Sequence, residues 1–306
     1  MKVLVATQKP FAKAAVDGIR QIVEKNGHTL ALLEKYEQQS DFVAAVADAD
    51  ALIVRSDKVT AEVVEAAKNL KIVVRAGAGF DNLDLAACSA HKVVAMNTPG
   101  QNSNAVAELA LGLMIYMNRN QITPGTGAEL KGKTIGIQAY GNVGRLVGEK
   151  AMALGMNVLA FDPYLTADKI EATGAKVAAS LEDLYAKSDF VSLHIPATPE
   201  TKGSIGRSLV SKMPKGGCLI NTARKEVINE DELLAVLEER EDLRYVADVA
   251  PEKAAEFAEK FGKRYFGTPK KMGAETGEAN VNAGLAAANQ ICDFFATGNT
   301  RFQLNK

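Results

Sequence analysis

The chain has 306 residues, enough for two domains of ordinary size. Its 36 lysines and arginines nearly balance 37 aspartates and glutamates, so no global basic field points to nucleic acid or an anionic membrane. Met1–Ala6 is too short an apolar run for a signal peptide, and no stretch reaches the roughly 18 apolar residues of a membrane span. Cys88, Cys218 and Cys292, like His28, His91 and His194, are scattered without metal spacing. The expectation is a cytoplasmic, metabolic-type protein with reduced thiols, no metal, and neither a nucleic-acid nor a membrane partner.

Short apolar runs alternate with amphipathic segments from end to end, which predicts an α/β fold with largely parallel sheets. The series opens with strand Val3–Ala6, helix Phe11–Lys25, strand His28–Leu33 and a helix near Phe42. Strand Ala51–Val54, helix Ala61–Ala67 and strands Ile72–Arg75 and Val93–Met96 follow, and Asn97–Gly100 breaks the rhythm. Residues Ser103–Asn118 are apolar nearly all round, so that helix should be buried on several sides, between two domains or at a dimer interface. After a linker at Thr123–Gly127 come strands Thr134–Gln138, Asn157–Phe161, Phe190–Leu193, Cys218–Asn221 and Tyr245–Ala247. A last helix, Ala279–Thr297, should return to the first domain. The domains are expected at 1–98 with 280–306, and at 99–279.

The most specific unit is Thr134–Asp162: a strand, a tight turn (Ala139, Tyr140, Gly141, Asn142, Val143, Gly144), a helical run Arg145–Leu154, and a second strand ending in an acid. Gly141 lets the backbone approach a pyrophosphate, and Gly144 lets the helix pack closely on the strand. The helix-start N–H groups face the phosphates, and Asp162, eighteen residues after Gly144, can accept hydrogen bonds from a ribose diol. That acid selects NAD over NADP, because it repels a 2′-phosphate. Ala139 stands where the pattern's first glycine would, which requires a negative φ there.

Other strand tips carry candidate ligands, as open α/β sheets predict. Arg55 and Ser56 end one strand. Arg75 precedes a glycine-rich loop, Gly77, Ala78 and Gly79, whose N–H groups suit a carboxylate or phosphate. His194, in Ser192–Pro196, reads as a structural residue bordering the cofactor rather than a general acid. Arg224, after Asn221, Thr222 and Ala223, can hold a carboxylate by bidentate hydrogen bonds. Asp248 and Glu252 lie just past a strand. Thr268 and Pro269 lead into Lys270 and Lys271 in a loop flanked by Gly273.

These residues together resemble the D-isomer-specific 2-hydroxyacid dehydrogenases, most closely the phosphoglycerate branch. The resemblance rests on Arg75–Asn82, Asn97–Pro99, Ala107–Leu109, the Gly141/Gly144 turn, Ser192–Pro196, Asn221–Arg224, Asp248–Val249 and Thr268–Pro269. It implies two Rossmann-like domains, a flavodoxin-like substrate domain formed by both chain ends and a dinucleotide-binding domain, with a cleft between them. It implies that Arg224 binds the α-carboxylate, that Glu252 or Glu256 supports the acid–base residue, and that Lys270 (or Lys271) fills the place where relatives carry histidine. Ala78, Tyr140, Gly141, Asn142, Val143, Gly144, Asp162, His194, Pro196, Thr222, Ala223 and Asp248 are the expected NAD contacts, with Asp248 at the nicotinamide amide. Arg55 and Arg75 would bind phosphate, with Ser56 and the Gly77 loop completing the substrate site.

The implied reaction is NAD-dependent oxidation of D-3-phosphoglycerate to 3-phosphohydroxypyruvate, the first step of serine synthesis. The alternatives are a glyoxylate or hydroxypyruvate reductase and a non-catalytic NAD-sensing protein. A homodimer through the helix around Ala105–Asn118 is expected. Ending at Lys306 without the regulatory ACT domain of many relatives, the sequence suggests a short form.

Overall fold

The computed structural model describes residues 1–306, which divide into two compact units, Met1–Asn102 with Thr276–Lys306, and Ser103–Glu275. The first unit is built on five strands: β1 (Lys2–Thr7), β2 (Thr29–Glu34), β3 (Ala51–Val54), β4 (Ile72–Arg75) and β5 (Val94–Asn97). All are parallel, in the order β2-β1-β3-β4-β5. This is the flavodoxin-like order, with its switch point between β1 and β3. Alternation along the strands makes two cores. Leu4, Ala6, Leu52, Val54 and Val73 face one side, and Val3, Val5, Ala51, Ile53, Ile72 and Val74 the other.

Helices α1 (Lys13–Lys25), α2 (Gln39–Val46), α3 (Ala61–Ala66) and α4 (Leu85–Ala90) make the crossovers. Helix α4 is not among the elements the sequence predicts. It has six residues and one buried side chain, Cys88, too few for a period; the Asp84 carboxylate caps it by accepting the Ala87 N–H at 2.9 Å.

The second unit opens with α5 (Ser103–Asn118). It continues through β6 (Thr134–Gln138), α6 (Asn142–Ala153), β7 (Asn157–Phe161), α7 (Ala167–Glu171), β8 (Lys176–Val177), α8 (Leu181–Ala186) and β9 (Phe190–Leu193). After α9 (Arg207–Val210) come β10 (Cys218–Asn221), α10 (Glu230–Glu239), β11 (Arg244–Ala247), α11 (Ala254–Phe261) and β12 (Tyr265–Gly267). The seven parallel strands run β12-β11-β10-β9-β6-β7-β8, a Rossmann order extended by one strand, with its switch point between β6 and β9. Strands β8 and β12 are two and three residues long, below what sequence periodicity resolves. Helix α6 starts at Asn142 rather than Arg145, because the glycine turn itself supplies its first turn.

Helix α5 buries Ala107, Ala110, Leu113, Met114 and Met117 in the core beside β6 and β10, and leaves Asn104, Glu108, Gly112 and Ile115 exposed. It ends in an unusual turn. Asn120, Gln121 and Ile122 all adopt left-handed φ, at 54°, 56° and 53°. Such residues cost about 1–2 kcal/mol each outside glycine. The Gln121 amide offsets part of this by donating to the Tyr265 carbonyl at 2.9 Å and the Lys263 carbonyl at 3.3 Å. Past Glu275 the chain rejoins the first unit through α12 (Gly277–Thr297), whose Ala283, Ala287, Ala288 and Ile291 pack in the same core as Ala15, Ile19 and Val23 of α1.

Candidate active site

The dinucleotide turn joins β6 to α6 at the switch point of the second sheet. A Cβ on Gly144 would strike the Ala139 carbonyl oxygen and stand 3.0 Å from Ile137 Cγ2, so close packing of helix on strand demands glycine there. At Gly141 a Cβ would meet nothing within 4 Å. Packing does not require that glycine; the space beside it is open to a ligand. Asn142 and Gly141 are exposed at the helix start, with Val143 half-buried. Thr222, just past β10, has a buried hydroxyl oxygen without a hydrogen-bond partner. Open backbone at Gly141, a helix N-terminus and an unpartnered hydroxyl suit a pyrophosphate-bearing dinucleotide.

One expectation at this turn is corrected. Ala139 has φ 71°, not a negative value, because the turn needs the left-handed conformation that glycine gives freely. The Tyr140 side chain is buried, its hydroxyl 2.9 Å from Thr173 Oγ1 and its ring against Gly148. It packs inside the unit, and only its backbone lies on the turn. That backbone N–H donates to Asp162 Oδ2 at 2.8 Å, while Asp162 Oδ1 accepts the Tyr164 N–H at 2.9 Å. The acid thus braces the glycine turn with one lone pair on each oxygen, leaving the others for a diol.

His194 follows β9, its N–H donating to the Gln138 carbonyl at 3.0 Å and its Nε2 lying 2.9 Å from Ser192 Oγ. Burial pushes its imidazole down to about 3, so it is neutral at physiological pH. Pro196 is exposed, its carbonyl accepting the Thr201 hydroxyl at 2.6 Å.

After β10, Asn221 shapes the Arg224 turn. Its Nδ2 donates to the Arg224 carbonyl at 2.9 Å, and its Oδ1 accepts the Ala223 N–H at 3.0 Å. The half-buried Arg224 donates one guanidinium N–H to the Ala223 carbonyl at 2.9 Å, so its other donors remain for a carboxylate.

Asp248, fully buried past β11, staples the Lys270 loop. Its Oδ1 accepts the Met272 N–H at 2.8 Å and the Thr268 hydroxyl at 3.2 Å, and its Oδ2 accepts the Gly273 N–H at 2.7 Å. Burial pushes this carboxyl above the usual carboxylate range, against those hydrogen bonds and the nearby Lys271 charge. The carboxylate thus anchors the loop, with two bonds to the chain at Oδ1 and one at Oδ2, which keeps a lone pair. Lys270 and Lys271 are exposed on the loop so held.

The glutamates are also corrected. Glu252, 77% exposed, pairs with Lys225 at 3.1 Å, and Glu256 pairs with Lys260 at 2.9 Å; both carboxylates thus serve surface ion pairs rather than Lys270. Sequence reasoning missed Lys225 and Glu230. The Glu230 carboxylate accepts the N–H groups of Glu252 and Lys253 at 2.9 and 2.8 Å. Its only sequence signal is a place in the first turn of α10, after the capping Asn229.

In the first unit, the structure gathers Arg55, Arg75, Gly77 and Ala78 at the strand tips with Asn97 and Thr98. Thr98 Oγ1 accepts the Gly77 N–H at 2.7 Å, and Asn97 Nδ2 donates to the Ala78 carbonyl at 2.6 Å. The Arg75 guanidinium occupies the place where a Gly77 side chain would stand, and its Nε donates to the Arg55 carbonyl at 3.0 Å. Arg55 is more heavily engaged than expected. It donates to the Lys9 and Pro10 carbonyls at 3.2 and 3.3 Å and to Asn280 Oδ1, and lies over the Phe11 ring. Ser56 is exposed beside it. The buried Asp57, also missed, accepts the Gln8 N–H at 2.7 Å and the Tyr36 hydroxyl at 2.9 Å, fixing the β1 and β3 tips.

Residues 113–266 match the model of the D-isomer specific 2-hydroxyacid dehydrogenase NAD binding domain. The chain is 35% identical over 268 residues to the D-3-phosphoglycerate dehydrogenase of Methanocaldococcus jannaschii, covering 83% of this chain and 51% of that one. It is 37% identical over 222 residues to the hydroxypyruvate reductase of Thermotoga maritima, covering 68% and 71%. The chain thus spans about half the length of several curated phosphoglycerate dehydrogenases it matches. Among solved structures, the NAD+-bound 3-phosphoglycerate dehydrogenase of Entamoeba histolytica superposes with a TM-score of 0.89 at 49% identity, covering 100% of this chain and 99% of that one. The chain belongs to the D-isomer-specific 2-hydroxyacid dehydrogenase family.

Proposed function

We propose that the protein oxidises D-3-phosphoglycerate to 3-phosphohydroxypyruvate with NAD. The observation that carries this reading is the 49% identity, over essentially the whole chain, to an NAD+-bound 3-phosphoglycerate dehydrogenase. The cofactor would lie on the Gly141–Gly144 turn, with Asp162 at its ribose and Thr222, Ala223, His194 and Pro196 beside it. NAD+ bound there supplies the hydride acceptor. Unit Ser103–Glu275 is the cofactor domain in this reading, and Met1–Asn102 with Thr276–Lys306 the substrate domain.

Arg224 holds the substrate carboxylate through charge-assisted hydrogen bonds and polarises the C2 oxygen. Lys270 takes the C2 hydroxyl proton during oxidation and returns it during reduction. Glu252 acts on this chemistry through its turn and its pair with Lys225, not by touching Lys270. Arg75 and the Gly77–Ala78 loop recognise the anionic end of the substrate, with Ser56 beside them and Arg55 acting mainly as a scaffold for Arg75.

One observation favours a second reading. Arg55 already commits three hydrogen bonds to Lys9, Pro10 and Asn280, and an unphosphorylated substrate does not need two arginines together. That reading is a hydroxypyruvate or glyoxylate reductase. A panel of 2-keto acids with NADH decides. The highest kcat/KM should fall on phosphohydroxypyruvate; a higher value for hydroxypyruvate or glyoxylate would transfer the assignment, and no turnover with NADH still bound would make the protein an NAD-sensing binder.

A homodimer through the outer face of α5 belongs to the same proposal. Gly112 faces open space in mid-helix, a residue that costs about 1 kcal/mol against alanine unless something approaches closely. Ile115 lies on the same exposed face, and Ile122, 74% exposed, stands on the left-handed turn that follows. Gly112→Arg should convert a dimer to monomer in light scattering; a wild-type monomer would remove the proposal. No helix is long and apolar enough to cross a membrane. The three cysteines are free and buried, which supports a cytoplasmic location.

A further inference from the structure

The turns carrying Arg224 and Glu252 share more than the Lys225–Glu252 ion pair. Beneath them lie two tyrosines on adjacent strands, Tyr245 of β11 and Tyr265 of β12, paired in register with ring centroids 5.8 Å apart. Both pack on Phe257, at 5.5 and 5.2 Å. Strand side chains lean along the strand, and the Tyr265 hydroxyl reaches the level of Gly267, where a Cβ would overlap it and stand 3.8 Å from Ala250 Cα. That level is the end of both strands, directly under the turn that runs from Asp248 to Glu252.

Both phenol oxygens are buried and neither makes a hydrogen bond of full geometry, although the Asn221 amide lies near enough to the Tyr245 phenol to act on it. An idle buried hydroxyl is destabilising, and phenylalanine would fill each place without that cost. Two such hydroxyls side by side call for a use. Asn221 stands at the same end of the sheet, paired with Ala247 at the tip of β11, and its amide acts on the Tyr245 phenol, while the Glu230 charge is felt by both phenols. Asn221 already holds the Arg224 turn, and Glu230 already holds the N–H groups of Glu252 and Lys253.

We propose that Tyr245 and Tyr265 are positioning residues whose hydroxyls, through an internal water shared with Asn221 and Glu230, lock the Arg224 turn to the Glu252 turn. An internal water needs two to four polar partners, and these four groups supply them. The pair acts through the backbone of both turns and touches no substrate atom. The proposal rests on the dehydrogenase reading for its catalytic consequence, though not for the lock itself.

The test uses Tyr245→Phe, Tyr265→Phe and the double variant in the full chain, each keeping its ring. Thermal midpoint, NADH affinity, kcat, KM and amide exchange across 223–225 and 250–253 are measured. Each single variant should lower kcat by roughly three- to tenfold with NADH affinity unchanged, as a small displacement of catalytic groups does. The midpoint should fall by about 2 °C, exchange should quicken in both turns, and the double variant should be little worse than either single one. A raised midpoint with unchanged exchange would overturn the proposal, because the hydroxyls would then be idle. A lowered midpoint with unchanged kcat and exchange would also overturn it, leaving only a packing role. If the wild type reduces no 2-keto acid, the dehydrogenase reading fails, and the signs of the midpoint and exchange changes still decide the lock.

Discussion

The dinucleotide turn and the Lys270 loop lie in the same unit, yet they are held in opposite ways. The turn is made mainly by near neighbours, Gly144 under Ala139 and the α6 N–H groups, with a single brace from Asp162, 22 residues beyond Tyr140. The loop Thr268–Gly273 has no regular structure of its own and takes its shape from a buried carboxylate twenty or more residues earlier in the chain. Local geometry gives a rigid anion cradle, whereas a long-range staple gives a loop whose position depends on one buried side chain. Binding should therefore survive damage to the loop, and catalysis should not.

The largest expected effect follows from that split. Lys270→Ala should lower kcat by at least about a hundredfold, the usual contribution of a positioned acid or base. NADH affinity, read by fluorescence titration, should stay within twofold. Loss of NADH binding along with kcat would make the loop part of the cofactor site and erase the contrast. If Lys271→Ala is the variant that fails instead, the proton-transfer residue is its neighbour.

Asp248→Asn tests the staple. An amide keeps one acceptor oxygen but turns an NH2 toward a backbone N–H, so either Met272 or Gly273 loses its partner. The stability loss at neutral pH should be about 2 kcal/mol in urea titration, the scale of an orphaned hydrogen bond to a charged group, with kcat falling as well. The pH dependence has a definite sign. Because burial raises the folded Asp248 pKa, the folded state takes up this proton more readily than the unfolded chain. The stability this uptake contributes is fully present below the ordinary aspartate pKa and is lost as pH rises through the raised value. The wild type's advantage over Asp248→Asn, which lacks the titrating group, should therefore be larger at the acid end and shrink toward neutrality. An advantage that grows with rising pH would mean that the hydrogen bonds to the carboxylate outweigh burial and hold the folded pKa down instead.

What is legible in the sequence divides along the same line. The strands with continuous buried runs, Val3–Ala6, Ala51–Val54 and Phe190–Leu193, announce themselves, as does the strand–glycine turn–helix–acid unit, because period and spacing are local. Helix α4, β8 and β12 are too short to carry a period. The Asp248 staple, the Glu230 fork and the partnership of Arg55 with Asn280 join residues more than twenty positions apart, and no local pattern encodes them. The family resemblance pairs Glu252 with Lys270, whereas the ammonium that meets it belongs to Lys225, brought close by the pairing of β10 with β11.

Asp162→Ala sharpens the cofactor side. A carboxylate beside a 2′-phosphate costs Coulomb energy, and a tenfold preference corresponds to about 1.4 kcal/mol. The wild type should prefer NADH to NADPH by at least that factor in kcat/KM, and the variant should narrow the gap. The substitution also removes the brace on the Tyr140 N–H, so NADH affinity itself should fall modestly. Equal use of both cofactors by the unaltered protein would sink the role given to Asp162.

The smallest effect lies at the residue where local geometry is itself strained. Ala139 holds a φ of 71° at the hinge between β6 and the glycine turn, a conformation that costs a non-glycine residue about 1–2 kcal/mol. Its N–H donates to the Phe161 carbonyl at 2.9 Å, and its own carbonyl is the atom pressed against Gly144, so the backbone cannot relax without moving the start of α6. Ala139→Gly removes that strain but also frees the unfolded chain, which returns up to about 1 kcal/mol. The folded-state gain should exceed the unfolded-state loss, giving a net stabilisation of about 0.5 kcal/mol in urea titration, with NADH affinity unchanged. A destabilised variant would mean that the methyl group packs on the β9-side core strongly enough to outweigh the strain. In that case alanine at this position is held by its contacts, and the cradle owes more of its shape to distant residues than the Asp162 brace and the Phe161 carbonyl supply.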